Sequence, residues 1–595
     1  MRVFRFFAKA LLAVFALVGA VVVLGSLAAA LSWRVLPGLI DPVPQRAVLQ
    51  FDLADGVVET WPENPLARAS MGEAVRLRDL VQGLDAAGRD PRVKGIVARL
   101  GTGPLGMARV QEIRDAIIAF RHQGKFAIAF AESFGEAGDG NAHYYLATAF
   151  DQIWLQPSGA VELTGPMIES PFLKNALALI GIEPQLDQRE EYKGGMDMFT
   201  AAGMSEPQRQ NLQALVDSWQ HQLAEGIAAY RKGTPEEALA LMDRGPFLAA
   251  EAKAAGLVDR LAYWDEIDNE LSERASEEAT LYPLASYVER LPEPPKDAPR
   301  IAIVYGLGEI TLSSGEGNPL LDHTAMAADA TAKALAAAID DPGIKAIVFR
   351  VDSPGGSYVA SDTIRREVER ARIVGKPVVV SMGDLAASGG YFVSAPAQSI
   401  VAQPGTITGS IGVFGGKPVL AGLWQKLGIG WDGVQAGANA DFASLNRPYS
   451  AAGWSFLQRS LDGVYADFMA KVASDRRLSA DDTHAAAKGQ IWSGADAKSR
   501  GLVDELGGLA TALAMARGIA QIPAAAPIRL EQFPAEGSGL GTFMRHLFGI
   551  GGSAARLAVA LQHFEVLAGP ALRLVGSIEV SQRASLRLPA LETAP

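Results

Sequence analysis

The chain has 595 residues, a formal net charge of −12, 49% hydrophobic and 20% charged residues, and no cysteine. One hydrophobic core rarely serves more than about 250–300 residues, so two or more domains are expected, and the composition excludes a disordered chain. The acidic balance argues against a nucleic-acid groove, and the missing cysteines remove thiol nucleophiles, disulfides and cysteine-ligated zinc while fitting an oxidising compartment.

At the N-terminus, Arg2, Arg5 and Lys9 precede an uncharged run over residues 10–33. A run of that length crosses a hydrocarbon core of about 30 Å as a helix, whereas a secretory signal has an apolar region of about 7–15 residues. The run therefore reads as an uncleaved transmembrane anchor, with Ala28-Ala29-Ala30 leaving a cleaved signal as the alternative. The basic flank assigns residues 1–9 to the cytoplasm and the rest to the outside, which is the periplasm in a Gram-negative cell.

Beyond the anchor the chain repeats itself. Val93-Lys94-Gly95-Ile96-Val97-Ala98-Arg99-Leu100 matches Ile344-Lys345-Ala346-Ile347-Val348-Phe349-Arg350-Val351. A helical pattern, Gly-Lys and an apolar strand follow in each copy, and Gly256-Leu257-Val258-Asp259 later answers Gly501-Leu502-Val503-Asp504. Landmarks in the same order at a near-constant spacing indicate a tandem duplication. Short apolar strands alternating with amphipathic helices predict an α/β fold with parallel strands buried on both faces. The expected division is 47–269, a charged and proline-rich linker over 270–300, a second copy over 301–522, and an extension over 523–595. Within that extension, residues 545–572 read as an amphipathic helix, packed on a neighbour or lying on a membrane.

Ser388 follows the apolar run Pro377-Val378-Val379-Val380-Ser381-Met382 and a short loop, and precedes Gly389-Gly390 and a short helical stretch. It is either a helix cap or a nucleophile. Asp352-Ser353-Pro354-Gly355-Gly356 turns a strand into a helix, as an ordinary Pro-Gly turn or as a cradle whose bare N–H groups hold an oxyanion. In the first copy, Gly101-Thr102-Gly103-Pro104-Leu105-Gly106 has the G-x-G-x-x-G form of a dinucleotide site. It occupies the same place as the Ser353–Gly356 turn and lacks an acid about 20 residues on, so it reads as a degenerate copy of that turn.

None of the seven histidines has metal-ligand spacing or adjoins a serine elbow; a Ser-His-Asp triad assembled through space stays open, with nothing local pointing to it, and a lysine is the other candidate base. An exposed lysine is charged near neutrality, but burial lowers its pKa by several units. Lys193 follows the strand-like Ile182-Glu183-Pro184-Gln185-Leu186 and precedes Gly194-Gly195-Met196. It is a candidate base or a solvated lysine. Were the segment extended, Glu191 would share its face and oppose the shift.

Asp352-Ser353-Pro354-Gly355-Gly356, Met382 to Tyr391, Pro404-Gly405-Thr406-Ile407-Thr408-Gly409-Ser410-Ile411-Gly412 and Tyr192-Lys193 together resemble the long, duplicated form of the signal peptide peptidase A (protease IV) family. The resemblance spans about residues 47–522. It implies tandem ClpP/crotonase-like spiral domains behind an N-terminal transmembrane helix. It also implies a serine/lysine dyad in which Ser388 is the nucleophile, Lys193 the general base from the first copy, and Ser410 the residue orienting that lysine. Backbone N–H groups at Gly355, Gly356 and Gly389 would bind the oxyanion. Asn141 stands opposite the serine in the first copy and Ala440 opposite the lysine in the second, so one site would arise from two half-degenerate copies. Asp352 stands where the family often has asparagine. The family's pattern further implies a homotetramer at the inner membrane, facing the periplasm, that degrades signal-peptide remnants and other apolar peptides without metal or cofactor. A crotonase-like acyl-CoA hydratase or isomerase, or an inactive membrane scaffold, is the competing expectation.

Overall fold

The computed structural model describes residues 42–61, 74–535 and the strand 585–587, except positions 55, 102, 104, 137–138, 232, 276–277 and 314–324. The apolar run 10–33 and the stretch 545–572 lie outside the described residues. Among the described residues no helix is long and apolar enough to cross a membrane.

The first half is built on a parallel sheet containing β1 (Ala47–Asp52), β2 (Val93–Arg99), β3 (Phe126–Ala131) and β4 (Gln152–Leu155). Across the sheet the order runs Arg260–Leu261, β4, β3, β2, β1, Thr280–Pro283. Helix α1 (Met107–Arg121) crosses from β2 to β3, and the long helix α2 (Glu206–Arg231) follows a further strand, β5 (Glu183–Gln188), that leaves this sheet altogether.

The second half repeats the pattern. β6 (Arg300–Leu307), β7 (Ile344–Ser353) and β9 (Val378–Ala387) pair in parallel, with β8 (Gly355–Ser357) leaving the end of β7 for a separate sheet. Glu505–Leu506, Ser399–Ala402, β9, β7, β6 and Arg529–Phe533 stand in the order that their counterparts hold in the first sheet. Two stretches read from sequence as linker and extension therefore each supply an edge strand. Thr280–Pro283 closes the first sheet beside β1, and Arg529–Phe533 closes the second beside β6. Their few residues and mixed polarity suit an edge that is only half covered, and that pattern hid them.

Both faces of the central strands are dry. Ile347, Phe349 and Val351 pack with Ile364, Val368 and Phe392, while Ala346 and Val348 on the other face pack with Leu509, Ala512 and Ala516. Each fully buried side chain of Val, Ile or Phe size is worth about 1.5–3 kcal/mol, which explains the near-continuous apolar runs. Helix α3 (Tyr358–Ile373) begins where the Ser357 hydroxyl accepts from the Ala360 amide at 3.4 Å. It buries Ile364, Val368 and Ala371, and Gly375 at φ +75° ends the turn beyond it.

The two halves are joined by polar contacts as well as apolar ones. The Arg350 guanidinium, fully buried, meets Glu59 at 2.8 Å and Glu112 at 3.0 Å, so a cation of the second half sits between two anions of the first. The Asn211 amide on α2 both donates to and accepts from the backbone of Ile491, each at 2.9 Å. Most relevant to the site, β5 crosses over and pairs antiparallel with β11 (Phe414–Val419), after β10 (Ile407–Gly409) has joined the edge of β9. This exchange carries the chain from Arg189 to Met196 into the second half.

Candidate active site

β9 ends at Ala387 and the short helix α4 (Gly389–Ser394) begins one residue later. Ser388 makes the turn at φ +57°, ψ −115°, a sparsely populated conformation for a residue with a Cβ. Neighbours hold it there. Its N–H donates to the Gly409 carbonyl at 2.8 Å, and its own carbonyl accepts from the Phe392 amide at 2.9 Å. The side chain makes no capping bond to the helix, so the capping reading of this serine fails. Its hydroxyl, fully buried, is 2.7 Å from Lys193 Nζ.

Lys193 reaches that hydroxyl because the chain leaves extended geometry after Gln188. Glu190 adopts φ +71°, and a 3-10 turn follows over Gly194–Met196. The alternation that would put Glu191 beside the lysine is broken. Glu191 instead points to Lys488, 3.7 Å away. Lys193 is fully buried, and burial alone holds its ammonium pKa well below the ordinary lysine value. Nζ donates to the Ser410 carbonyl oxygen at 2.8 Å and lies 2.9 Å from Ser410 Oγ. A neutral amine has two hydrogens and one lone pair. Two contacts to Ser410 and one to Ser388 match that count, leaving the lone pair for the serine proton.

Ser410, at φ +52°, follows Gly409 at φ +78°, and its N–H donates to the Gln490 carbonyl at 2.6 Å. Two glycines that sequence reasoning passed over make room for the lysine. A Cβ on Gly489 would lie 2.5 Å from the Lys193 nitrogen, and one on Gly412 would lie 3.0 Å from Lys193 Cδ. Gly412 closes a motif that could have flagged it. Gly489 gave no local signal.

The glycine-rich turn adjoins the serine. A Cβ on Gly389 would lie 3.1 Å from Gly355 Cα and 3.2 Å from the Gly356 nitrogen. Gly355 and Gly356 take φ +98° and φ +157°, which brings the backbone of β8 flush against the serine turn. The Gly355 N–H already donates to Ser353 Oγ at 3.2 Å.

Behind this turn lies a charged cluster that the sequence did not announce. Asp352 Oδ1 accepts from the Leu385 amide at 3.1 Å, and Oδ2 meets Arg109 at 3.1 Å. Arg109 also contacts Asp384, at 3.3 Å, and its own amide donates to Asp384 Oδ1 at 2.9 Å, capping α1. Burial, with the Asp384 charge adding to it, pushes the Asp352 carboxyl up to about 7 against the pull of Arg109. Asp384 also fills the space that a nucleotide phosphate would need at the start of α1. A Cβ on Gly106 would lie 2.1 Å from its Cγ. The G-x-G-x-x-G stretch is thus a seat for a carboxylate of the second half.

In the first half, the position answering Ser388 is closed. Asn141 Oδ1 accepts from the amides of Thr164 and Gly165 at 3.0 and 2.9 Å, and its Nδ2 donates to the Gly165 carbonyl at 2.9 Å. His143, also buried there, is committed to the Gly103 carbonyl at 2.6 Å.

Comparison with known proteins agrees with this geometry. The model of peptidase family S49 matches residues 119–278 and 370–522, more than half of the chain. Protease 4 of Salmonella typhi is 34% identical over 460 residues, covering 75% of this chain and 72% of that one. Protease 4 of Haemophilus influenzae is 32% identical over 72% of this chain and 70% of its own. The chloroplastic serine protease SPPA of Arabidopsis thaliana is 30% identical over 77% of this chain and 67% of its own. An amine and a hydroxyl in buried contact, in a chain that shares this much sequence with serine proteases, lead to one conclusion: the protein is a serine protease of peptidase family S49.

Proposed function

We propose that the protein is a membrane-anchored endopeptidase that degrades cleaved signal peptides, using a dyad of Ser388 and Lys193. The single observation supporting this reading most strongly is the 2.7 Å contact between Lys193 Nζ and Ser388 Oγ, with both groups shut away from water.

Neutral Lys193 takes the Ser388 proton as Oγ attacks a peptide carbonyl. The tetrahedral oxyanion rests on backbone N–H groups of the Gly355–Gly356 turn and of Gly389. With the Gly355 amide turned toward Ser353 Oγ, Gly356 and Gly389 are the donors best disposed for the role. Lys193 then protonates the leaving amine, an acyl-enzyme forms on Ser388, and water releases it by the same route in reverse. Ser410 holds the lysine with its carbonyl and hydroxyl oxygens, so that the lone pair faces the serine. The amine needs no neighbouring cation to stay neutral, because desolvation suffices.

In this reading the copies beginning at residues 47 and 301 are ClpP/crotonase-like domains, the first giving the base and the second the nucleophile. The apolar run 10–33 anchors the chain in the inner membrane with the site on the periplasmic side, and four chains assemble around their substrates. Signal-peptide remnants suit such a site because they are apolar and free of tertiary structure.

The test uses the full chain with Ser388→Ala and Lys193→Ala beside the unaltered protein. Each variant is to be incubated with a synthetic signal peptide in detergent, and the serine probed with a fluorophosphonate. Cleavage and labelling in the unaltered chain, with both lost in each variant and folding retained, is the expected result. Normal turnover by either variant would refute the assignment.

A further inference from the structure

β7 and β9 do not pair evenly. Val351 stands opposite Met382, but Ser353 stands opposite Ala386, so the single residue Asp352 faces Gly383, Asp384 and Leu385. β9 therefore bulges just before it delivers Ser388, at the level where β7 gives way to Gly355 and Gly356. A bulge re-aims the residues beyond it. This one sets the offset between the oxyanion turn and the nucleophile. Side chains satisfy the backbone that the bulge unpairs. The Leu385 amide donates to Asp352 Oδ1 at 3.1 Å, and the Gly383 carbonyl accepts from Thr406 Oγ1 at 2.9 Å. The fit is close: a Cβ on Gly383 would lie 3.0 Å from Asp352 Cβ.

The two strands bring two carboxylates together at the bulge, Asp352 from β7 and Asp384 from β9. Their repulsion works to open it. Arg109 of the first half opposes that. Its Nη2 meets Asp352 Oδ2 at 3.1 Å and Asp384 Oδ2 at 3.3 Å. Its Nη1 donates to the Val57 carbonyl at 3.2 Å, and its Nε lies 3.8 Å from Glu59. The guanidinium is thus anchored in the first half and grips both strands of the second. Arg109 is the third residue of α1, and the third residue of α3 in the second half is Ala360. A cation in the first turn opposes the helix dipole, so local helix stability does not account for Arg109. The two carboxylates of the other half do.

We propose that Arg109 is a positioning residue for the peptidase reaction: by bridging Asp352 and Asp384 it latches the bulge and keeps the Gly356 and Gly389 N–H groups in range of the oxyanion that forms when Ser388 attacks. The proposal rests on the dyad reading for the reaction, whereas the latch itself does not depend on it. Arg109 touches neither substrate nor Ser388. It acts through the two strands that carry the donors and the nucleophile. The first half then supplies the geometry of the oxyanion site as well as the base. Such geometry matters because a misplacement of about 1 Å costs on the order of 10²-fold in rate. A guanidinium suits the task better than an ammonium, since its planar fork reaches several acceptors in fixed directions.

The test uses the full chain with Arg109→Met and Arg109→Lys beside the unaltered protein, on a synthetic signal peptide in detergent. In Arg109→Met, kcat should fall about 10- to 100-fold, less than the roughly 10²–10³-fold cost of losing an oxyanion donor outright. KM should stay within about twofold, because ground-state binding is untouched. Arg109→Lys keeps the charge without the fork and should recover part of the loss. A peptide aldehyde adds a readout that a merely structural role would not move. Ser388 Oγ adds to its carbonyl carbon, and the resulting oxyanion occupies the same donors. Its affinity should fall by the same factor as kcat, while the matching peptide alcohol binds all three chains equally. Unchanged kcat, or equal losses for aldehyde and alcohol, would overturn the proposal. If the unaltered chain neither cleaves the peptide nor binds the aldehyde, the dyad reading fails on its own account. Hydrogen exchange then decides the latch: the amides of Gly355, Gly356 and Leu385 should exchange about tenfold faster in Arg109→Met, and unchanged exchange would count against it. Should Arg109→Met not fold, Arg109→Lys carries the same comparisons, with smaller losses expected and none overturning the proposal.

Discussion

Lys193 and Ser388 are 195 residues apart in sequence, and their Nζ and Oγ atoms are 2.7 Å apart in one and the same chain. The contact exists because β5 is given up by the first half and paired to β11 of the second. Without that exchange, neither half has both a hydroxyl and an amine at the position in question, since Asn141 closes the first half's counterpart.

The first prediction concerns pH. Burial lowers the Lys193 pKa, so the neutral base appears below the usual lysine range. Acylation of Ser388, read as kcat/KM for a peptide or as the rate of fluorophosphonate labelling, should rise with pH and level off before pH 10.5. The sign for stability follows from the same shift. Between the folded and unfolded pKa values the unfolded chain binds more protons, so this group makes the fold more stable as pH rises through that window. A limb that keeps rising to the free-lysine value would show that the amine is not desolvated in solution.

The second concerns Gly489. A Cβ there meets the Lys193 backbone at 2.5 Å, and its φ of +77° is unfavourable for any other residue type. Gly489→Ala should push the lysine off the serine. A displacement of about 1 Å costs on the order of 10²-fold in rate. Steady-state kinetics should show the loss in kcat, while circular dichroism still reports a folded protein.

The third concerns Asp352, whose carboxyl is raised from an ordinary 3.8 to about 7 by burial and by Asp384. For an acid whose folded pKa is raised, the fold is penalised as pH climbs from 3.8 to 7, because the folded state holds the proton longer. The penalty is a few kcal/mol at most, at about 1.4 kcal/mol per pKa unit. Asp352→Asn removes it. Thermal melts should show a gain in Tm that is larger at pH 8 than at pH 5, and an equal gain at both would refute the account.

The fourth concerns the join between halves. Arg350 is enclosed with Glu59 and Glu112, and removing it leaves Glu112 without its cation and Glu59 with only the more distant Arg109, at 3.8 Å. Breaking a buried pair in this way costs about 3–5 kcal/mol. Arg350→Met should lower the urea midpoint accordingly, and adding Glu59→Gln should recover part of the loss. Additive effects of the two substitutions would mean that the groups are not coupled.

Much of this molecule was legible in its residues. The runs at 93–100 and 344–351 stated buried parallel strands directly, because sheets covered on both faces have no polar alternation to disguise them. Ser388 and the Gly355–Gly356 turn could be selected because a strand and a turn deliver them, whereas Ser410 was reached only through the family resemblance. Lys193 could be selected only against its neighbours. The chain gave Glu190 and Glu191 beside it, and nothing local announces that Glu190 turns to positive φ and redirects them. Glu59, Arg109, Arg350 and Asp384 were invisible for a related reason. A charge looks solvated until the partner that encloses it is known, and here each of the four has a partner in the other half. The edge strands Thr280–Pro283 and Arg529–Phe533 went unread because each is short and half covered, so polar and apolar residues mix in them.

The wide separation of Lys193 and Ser388 along the chain also sets a clock. A ribosome finishes Lys193 long before it reaches Ser388 and the Gly489 that makes room for the amine. At about 5–20 residues per second, the interval from Lys193 to Gly489 is roughly 15–60 s. Throughout that time the growing polypeptide lacks part of the set of residues that encloses Lys193 in the folded chain. The pocket around Lys193 is complete only once Gly489 has been added, with the second half nearly finished.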